Sequence, residues 1–379
     1  MAKRSTSRRS GKRAGKRPAK QASRPAAKRA ARPNRPDPAI WVAASLPGLE
    51  DLLRLELERR FREQVSHLVH SRTGECHFRF SGRVSSLLSL RLCHTLYQRR
   101  DFSVVRPRTL LSPEHLIRLT GDVSSVMAIR PADRYVGLRL DAAGANSPTM
   151  QRLGTQLGEK LGLPLNNDDG DLVVSLRPGK AGWEVLYRVG NRPLGTRPWR
   201  QVDYRGSLSG TVAAALVELS SPTPEDRFLN LMCGSGVIMI ERLKRCAVGA
   251  MIGVDRSRAA LSAAQQNSAA AGVNAQQLLV EGDTRRLPFA DGSFDRLCAD
   301  LPWGESVGTR RSNVSLYRDT FAESHRLCRP GGNLVVLTQD VSALEGLADD
   351  VARGWDLRAE RAFQQRGFQP RCRVYRKRD

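Results

Sequence analysis

Hydrophobic and polar positions follow two different patterns along this chain, and the change falls near residue 205. Residues 39–43 read as a strand, and residues 49–61 as a helix because leucines and Phe61 recur on one face. The apolar spacing predicts further strands at 76–80, 135–140, 171–176 and 182–189, and helices at 85–96, 113–119 and 149–161. Residues 101–113 show no regular period. The first half is therefore predicted to be an α+β region.

From residue 205 onward, predicted strands and helices alternate regularly. A helix at 207–219 comes first. The predicted strands are 227–231, 250–254, 277–281, 294–299, 333–338, 355–363 and 371–376, and the helices between them are 236–245, 257–271, 314–327 and 343–352. This alternation predicts a doubly wound, mostly parallel sheet. Ligands of such sheets bind at the carboxyl ends of the strands.

A glycine-rich turn closes the first of these strands. Gly234-Ser235-Gly236 lets the backbone turn tightly and approach a ligand, with a helix starting directly behind it. Asp255 ends the next strand, 19 residues after Gly236, which is the spacing of an acid that binds adenosine ribose hydroxyls. Asp283 follows the third strand and is placed to hold an adenine amino group. Taken singly, each acid is also a common helix cap or turn former.

The cofactor predicted for this turn is S-adenosylmethionine. NAD is the competing candidate, but a dinucleotide fold requires a small residue at the third glycine position, where this chain has Val237-Ile238-Met239. The chain also shows no second nucleotide-binding half and no P-loop lysine. S-adenosylmethionine has no pyrophosphate to cradle, so it fits the turn better. The predicted cofactor site includes residues around these three strand ends, together with Ser207 before the first strand and Asp300 after a fourth: Ser207, Asn230, Met232, Cys233, Gly234, Ser235, Gly236, Asp255, Arg256, Gly282, Asp283, Thr284 and Asp300.

The sequence Asp300-Leu301-Pro302-Trp303-Gly304 follows another predicted strand. Such a corner offers a carboxylate, a backbone carbonyl and a flat ring, which together can grip the exocyclic amine of a planar base. Asp300 and the Leu301 carbonyl could each accept one N–H and turn the nitrogen lone pair toward a methyl donor. Pro302 would fix the corner, and Trp303 would stack on a flipped base. A Pro-aromatic loop can also be no more than a turn.

These motifs resemble those of Rossmann-type methyltransferases and, more narrowly, of the THUMP-domain guanosine N2-methyltransferases that act on RNA. Three further segments carry the likeness: 191–194 with Trp199-Arg200, 233–238 with Glu241, and 363–370. It covers residues 135–379 well and 39–134 more loosely, as a ferredoxin-like part followed by THUMP. The resemblance implies S-adenosylmethionine as cofactor, RNA as substrate and the N2 amine of guanosine as methyl acceptor. The family's association with the acceptor end of tRNA favours tRNA.

Two positions depart from the family pattern. The family often opens its glycine motif with Asp, where Asn230 stands here. Its later motif is often Asn- or Asp-Pro-Pro followed by Tyr or Phe, whereas this chain has Asp300-Leu301-Pro302-Trp303. The Asp-x-Pro-aromatic form resembles the members that methylate guanine N2 rather than adenine N6.

The net charge of the chain indicates that it binds a polyanionic partner. The chain carries +24, and its first 36 residues hold 14 Lys or Arg and no acid. Such a segment is predicted to be disordered and to act as an electrostatic arm for nucleic acid. A solubilising extension is the alternative. A mitochondrial transit peptide is disfavoured because the segment lacks an amphipathic period.

Cysteine, histidine and hydropathy patterns exclude several other classes. The seven cysteines contain no C-x-x-C pair and five of the histidines are not at ligand spacing, so neither disulfides nor a metal is expected. Cys298 could suggest a thiolate nucleophile, but its place inside a strand predicts a packing residue. With no membrane span or signal peptide in the sequence, a cytoplasmic protein is expected.

The predicted domains are a basic tail (1–38), a ferredoxin-like domain (39–105), a THUMP domain (106–195), a linker (196–206) and a methyltransferase domain (207–379). Alternatives to tRNA methylation stay open at this point. They are the same reaction on ribosomal RNA, amino-methylation of DNA, and RNA binding without catalysis. The last is weakened because Asp255, Asp283 and Asp300 are all present.

Overall fold

The described strands form two sheets of seven strands each. The structure, a computed structural model, describes residues 39–67, 72–303, 310–364, 367 and 369–378. The predicted basic tail, Gly304 and part of the 363–370 segment lie outside these ranges. No helix in the described part of the chain is long and apolar enough to cross a membrane.

The first sheet has the strand order β2-β3-β1-β4-β7-β6-β5. Its strands are β1 (Ile40–Ala44), β2 (Val65–His67), β3 (Glu75–Phe80), β4 (Thr95–Phe102), β5 (Leu138–Ala142), β6 (Leu172–Gly179) and β7 (Gly182–Arg188), and its helices are α1 (Glu50–Phe61), α2 (Pro113–Met127) and α3 (Pro148–Leu161). Ser112 and Ser147 cap α2 and α3 by accepting an amide hydrogen bond, with proline at the first helical position of each. α1 buries the leucines of its predicted apolar face.

Strands β4 and β7 join the two regions that the sequence predicts as separate domains. They pair antiparallel from Tyr97 opposite Arg188 to Phe102 opposite Trp183. The sheet therefore runs across the 105/106 boundary without interruption. That boundary, like the other domain limits, stays a prediction.

The predicted helix at 85–96 is wrong. A short 3₁₀ helix covers Val84–Ser89, and β4 begins at Thr95. The carboxylate of the buried Glu56 on α1 accepts the amide hydrogens of Arg91 (2.8 Å) and Leu92 (2.9 Å), so these amides do not continue a helix. The leucines of this irregular segment pack into the core, and their spacing in the sequence resembles that of an apolar helix face.

Other differences concern element limits. The helix predicted at 113–119 continues to Met127, the strand predicted at 135–140 is shifted to 138–142, and the three-residue β2 was not predicted. The helix predicted at 343–352 is two short helices, α8 (Val341–Glu345) and α9 (Ala348–Ala352), with Gly346 and Leu347 between them.

The second sheet has the order β10-β9-β8-β11-β12-β14-β13. Its strands are β8 (Arg227–Leu231), β9 (Ala250–Asp255), β10 (Leu278–Glu281), β11 (Phe294–Asp300), β12 (Cys328–Thr338), β13 (Trp355–Ala362) and β14 (Arg371–Lys377), and its first four helices are α4 (Gly210–Leu219), α5 (Val237–Arg245), α6 (Arg258–Ala270) and α7 (Arg310–Leu327). Strands β8 to β12 are parallel, and β14 is antiparallel to both neighbours. This confirms the predicted mostly parallel sheet.

The strand order reverses between β8 and β11, where the chain crosses from one half of the sheet to the other. Ligands of open α/β sheets bind at this switch point, outside the carboxyl ends of the strands. The glycine turn follows β8, and Asp300 ends β11. The two motifs singled out in the sequence therefore lie side by side.

Candidate active site

The glycine turn after β8 depends on left-handed backbone at three positions. Met232, Gly234 and Gly236 have φ values of 49°, 53° and 78°. A Cβ added to Gly236 would lie 3.0 Å from the Ala264 Cβ, so α6 packs directly against the turn. A Cβ added to Gly234 would meet no atom within 4 Å, which leaves open space above the turn. A ligand can approach the backbone there.

Asp255 ties the end of β9 to this turn. Its Oδ2 accepts the Gly234 amide at 2.9 Å, and its Oδ1 accepts the Ser257 amide at 2.9 Å. The Gly282 amide donates to the Asp255 backbone carbonyl at 3.1 Å. The carboxyl ends of β8, β9 and β10 are thus linked through one residue.

Asn267 on α6 was not predicted as a site residue, yet its side chain connects the glycine turn to residues 201 and 202. It is fully buried, and its Oδ1 accepts the amides of Gln201 (2.9 Å) and Val202 (3.0 Å) while its Nδ2 donates to the Ser235 carbonyl (3.2 Å). In the sequence, Asn267 lies on the same helix face as Ala260, Ala263 and Ala264. A polar residue on a face that is otherwise apolar was the signal by which the sequence could have predicted a buried, hydrogen-bonded role.

Ser207 reaches the turn from the linker side. Its hydroxyl lies 2.7 Å from the Ser235 hydroxyl, and Ser235 is buried. Cys233, also buried, donates its amide to the Val254 carbonyl at 2.9 Å. The structure therefore brings Ser207, Cys233 and Ser235 together with the two glycines.

The predicted residues after β10 are less enclosed. Asp283 is exposed and forms an ion pair with Arg285, whose hydrogen bond holds the pKa of that carboxyl below its usual range. Arg256 is exposed, whereas Thr284 is buried with its hydroxyl 3.4 Å from that of Thr320. An adenine amino group would have to share Asp283 with Arg285.

Asp300 combines a buried acceptor atom with a raised pKa. It is the last residue of β11, opposite Leu337 of β12. Its Oδ1 is buried and has no hydrogen-bond partner among the described residues. Burial raises the pKa of Asp300 to about 7, against the effect of a hydrogen bond from the Trp303 side chain, which lowers it. The carboxyl is thus poised to accept an N–H or a proton near neutral pH.

Side chains of α7 and the backbone of β12 hold the backbone of the corner at Leu301 and Pro302. The Pro302 carbonyl accepts hydrogen bonds from the Tyr317 hydroxyl and from Asn313 Nδ2. Leu301 is buried and donates its amide to the Leu337 carbonyl at 2.8 Å. Because the Pro302 carbonyl is engaged, the Leu301 carbonyl stays the candidate for a second substrate N–H.

Asn230 bridges the two central strands of the switch point. It is fully buried, and its Nδ2 donates to the carbonyls of Leu231 (3.2 Å) and Cys298 (3.1 Å). An ionised aspartate at this position could donate neither bond. Its Oδ1 is a second buried acceptor without a partner in the described part of the chain. The departure at Asn230 is therefore matched to its surroundings.

Cys298 is fully buried, and burial raises the pKa of its thiol well above its usual range. This confirms the interpretation as a packing residue. Among the described residues, no group of three or more His, Cys, Asp or Glu side chains could hold a metal ion.

The fold and the site define a Rossmann-type methyltransferase. Residues 197–366 match the family described as "UPF0020: RMKL-like, methyltransferase domain". This confirms the fold and enzyme class predicted from the motifs.

Two comparisons with individual proteins extend over more of the chain. The tRNA (guanine(6)-N2)-methyltransferase of Thermus thermophilus is 28% identical over 348 residues, covering 89% of this chain and all of that protein. The crystal structure of TrmN from Thermus thermophilus superposes with a TM-score of 0.70 at 25% identity, covering 89% of this chain and 99% of that one. The tRNA (guanine(6)-N(2))-methyltransferase THUMP3 of Bos taurus is 31% identical over 157 residues, 37% of this chain but only 31% of its own length. The resemblance predicted from the motifs is thereby confirmed.

Proposed function

We propose that this protein transfers the methyl group of S-adenosylmethionine to the N2 amine of a guanosine in tRNA. The observation that carries the proposal is the position of Asp300 beside the glycine turn at the switch point, with a buried Oδ1 that has no hydrogen-bond partner among the described residues. Two relatives, one similar over its full length and one over part of it, bear the name tRNA (guanine(6)-N2)-methyltransferase. Their names support guanine N2 as the methyl acceptor and tRNA as the substrate. We therefore also propose guanosine 6 of tRNA as the target.

S-adenosylmethionine fits the residues at the three strand ends. The open space above Gly234 admits a ligand next to the backbone, and the turn sits at the N-terminus of α5. Asp255 would bind the ribose hydroxyls and Asp283 the adenine amino group. Asn230 Oδ1 and Asp300 Oδ1, which have no hydrogen-bond partner among the residues that the structure describes, are acceptors for donors such as an ammonium group.

When bound, S-adenosylmethionine supplies an electrophilic methyl group on a sulfonium sulfur. The guanine N2 amine is a poor nucleophile because its lone pair is delocalised into the ring. Asp300 Oδ1 and the Leu301 carbonyl would accept its two hydrogens and turn the lone pair out of the ring plane. As the nitrogen gains the methyl group it sheds a proton, and the ionised Asp300 carboxylate would receive it.

Trp303 would support the base during this step. The residue is partly exposed at the site, and an aromatic face of this kind can stack on a base taken out of its helix. The basic tail and the first sheet would provide affinity for RNA phosphates. Trp303 would therefore act on the base, and the basic tail and the first sheet would act on the RNA backbone.

The test is product identification with purified full-length protein. Unmodified tRNA transcripts, ribosomal RNA and duplex DNA are each incubated with S-adenosylmethionine, digested to nucleosides and analysed by mass spectrometry. We expect N2-methylguanosine from tRNA, at position 6 when nuclease fragments are mapped, and at least roughly a hundredfold slower formation by Asp300→Asn. A product methylated on adenine or cytosine, or methylation of ribosomal RNA or DNA alone, would refute the proposal.

A further inference from the structure

Two buried side chains on α7 converge on the backbone of the catalytic corner. Asn313 and Tyr317 are four residues apart, so they lie on one face of the helix, and both are fully buried. Asn313 Nδ2 lies 3.1 Å and the Tyr317 hydroxyl 2.5 Å from the Pro302 carbonyl oxygen. One carbonyl two residues after Asp300 thus receives two side-chain donors.

The direction of each hydrogen bond in this cluster can be assigned from chemistry. A carbonyl only accepts, so the single Tyr317 hydroxyl proton points to Pro302. The Thr338 hydroxyl, 2.7 Å from the Tyr317 oxygen, must then donate to it. Thr338 in turn accepts the Asp340 amide at 3.0 Å. The result is a one-way chain from β12 to the corner.

Asn313 is anchored in the same way. Its Nδ2 also donates to Asp340 Oδ2 at 3.0 Å, while Asp340 Oδ1 caps α8 by accepting from the Ala343 amide at 3.2 Å. Asp340 is itself buried. Both donors to Pro302 are therefore held by the carboxyl end of β12 and the start of α8.

We propose that Tyr317 and Asn313 are positioning residues for methyl transfer, which hold the Pro302 carbonyl away from the substrate and thereby orient Asp300 and the Leu301 carbonyl toward the amine. This inference rests on the proposed function. The physical reason is that the corner lies at the end of β11, where the Leu301 amide makes the last hydrogen bond to β12 seen in the described part of the chain. Without the two donors, the Pro302 peptide could rotate and its carbonyl would compete for the site. Misplacement of reacting groups by about 1 Å can cost roughly a hundredfold in rate.

The primary test is Tyr317→Phe, which removes one hydroxyl and keeps the ring. We expect kcat on tRNA to fall about tenfold to a hundredfold while the dissociation constant for S-adenosylmethionine stays within about twofold. Tyr375→Phe is the matched control, because Tyr375 is a buried tyrosine on β14 opposite Leu334, four residues before Thr338 on β12. It should lower thermal stability comparably and leave kcat unchanged.

A second pair of variants separates positioning from folding. Thr338→Val removes the hydroxyl that donates to Tyr317 but keeps the side-chain shape, and Thr338→Ser restores it. We expect Thr338→Val to lower kcat and Thr338→Ser to recover most of it. This pair decides the question if Tyr317→Phe does not fold.

A spectroscopic measurement judges the inference independently of the substrate. The chain has five tryptophans, so 5-fluorotryptophan labelling gives five ¹⁹F signals, and Trp303→Phe assigns one of them. In Tyr317→Phe the Trp303 signal should shift or broaden, and in Tyr375→Phe it should not. Unchanged kcat together with an unchanged Trp303 signal would overturn the inference. A product other than N2-methylguanosine from the wild type would overturn the proposed function, and the ¹⁹F comparison would still decide this one.

Discussion

The Asp255 carboxylate at the end of β9 accepts the amide hydrogen of Gly234, in the turn after β8, at 2.9 Å. The acid that the sequence assigns to a cofactor ribose therefore also holds the glycine turn in its left-handed conformation. Loss of Asp255 would remove the proposed ribose contact and a backbone restraint together.

Replacing Asp255 tests both roles through cofactor affinity. Asp255→Ala should weaken S-adenosylmethionine by more than about tenfold, because ribose hydroxyls lose a charged partner and the turn loosens. Asp255→Asn, which keeps one acceptor oxygen, should weaken it less. Calorimetry measures both, with the exposed Asp168→Ala as control. Equal affinities for all three proteins and the wild type would remove Asp255 from the site.

Asp300→Asn tests the proposed acceptor. The amide keeps the shape but cannot take up a proton, so turnover should fall by roughly two orders of magnitude or more with cofactor binding nearly unchanged. Since burial raises the pKa of Asp300 to about 7 and the ionised form is the active one, wild-type kcat should rise with pH through about 7 and then level off. A single-turnover assay measures the rate of the methyl-transfer step itself. If that rate is the same at every pH between 6 and 8, this assignment is contradicted.

Trp303 is expected to act through its ring. Trp303→Ala should remove base stacking, a loss of about 1–3 kcal/mol, and should weaken engagement of RNA as well as lower kcat. Trp303→Phe keeps a stacking face but loses the indole N–H that hydrogen-bonds to Asp300, so it should bind RNA normally and show an altered pH profile. RNA affinity by filter binding and kcat against pH distinguish the two variants. Identical behaviour of both would argue against separate stacking and hydrogen-bonding roles.

A buried ion cluster connects the first half of the chain to the helix behind the glycine turn. Glu241 on α5 is fully buried and accepts from Arg91 Nε (2.7 Å) and Arg197 Nε (2.8 Å). Glu241→Gln leaves two guanidinium groups short of a charge partner, so the free energy of unfolding should fall by about 3–5 kcal/mol. Glu114→Gln, at an exposed pair with Arg118, should change it by less than about 1 kcal/mol. Denaturant unfolding checks both, and similar effects for the two variants would count against the cluster.

The basic tail should contribute salt-dependent RNA affinity. Removing residues 1–36 takes away 14 positive charges, so the dissociation constant for tRNA should rise and its dependence on salt should become less steep. Binding measured between about 50 and 200 mM salt gives both slopes. Equal slopes would mean that the tail does not contact phosphates. Product identity should stay the same in either case.

The sequence by itself determined the alternating sheet, the glycine turn, Asp255 and the Asp300 corner. Each of these depends on a local pattern, such as burial period, positive φ at glycine, or the end of a strand, and local patterns are visible in a run of residues. The class of enzyme followed because those local signals all fall at one edge of a parallel sheet. Even the interpretation of Cys298 as a packing residue needed only its place in a strand.

Only the tertiary structure decided which distant groups complete the site. Asn267 supports the turn from 32 residues away along the chain, Tyr317 holds Pro302 from α7, and Glu56 captures the Arg91 and Leu92 amides and so prevents the predicted helix at 85–96. These contacts depend on how separate elements pack, and a buried polar group takes whichever partner that packing supplies. Apolar periodicity reports that a residue is buried, but it carries no information about what the residue is buried against.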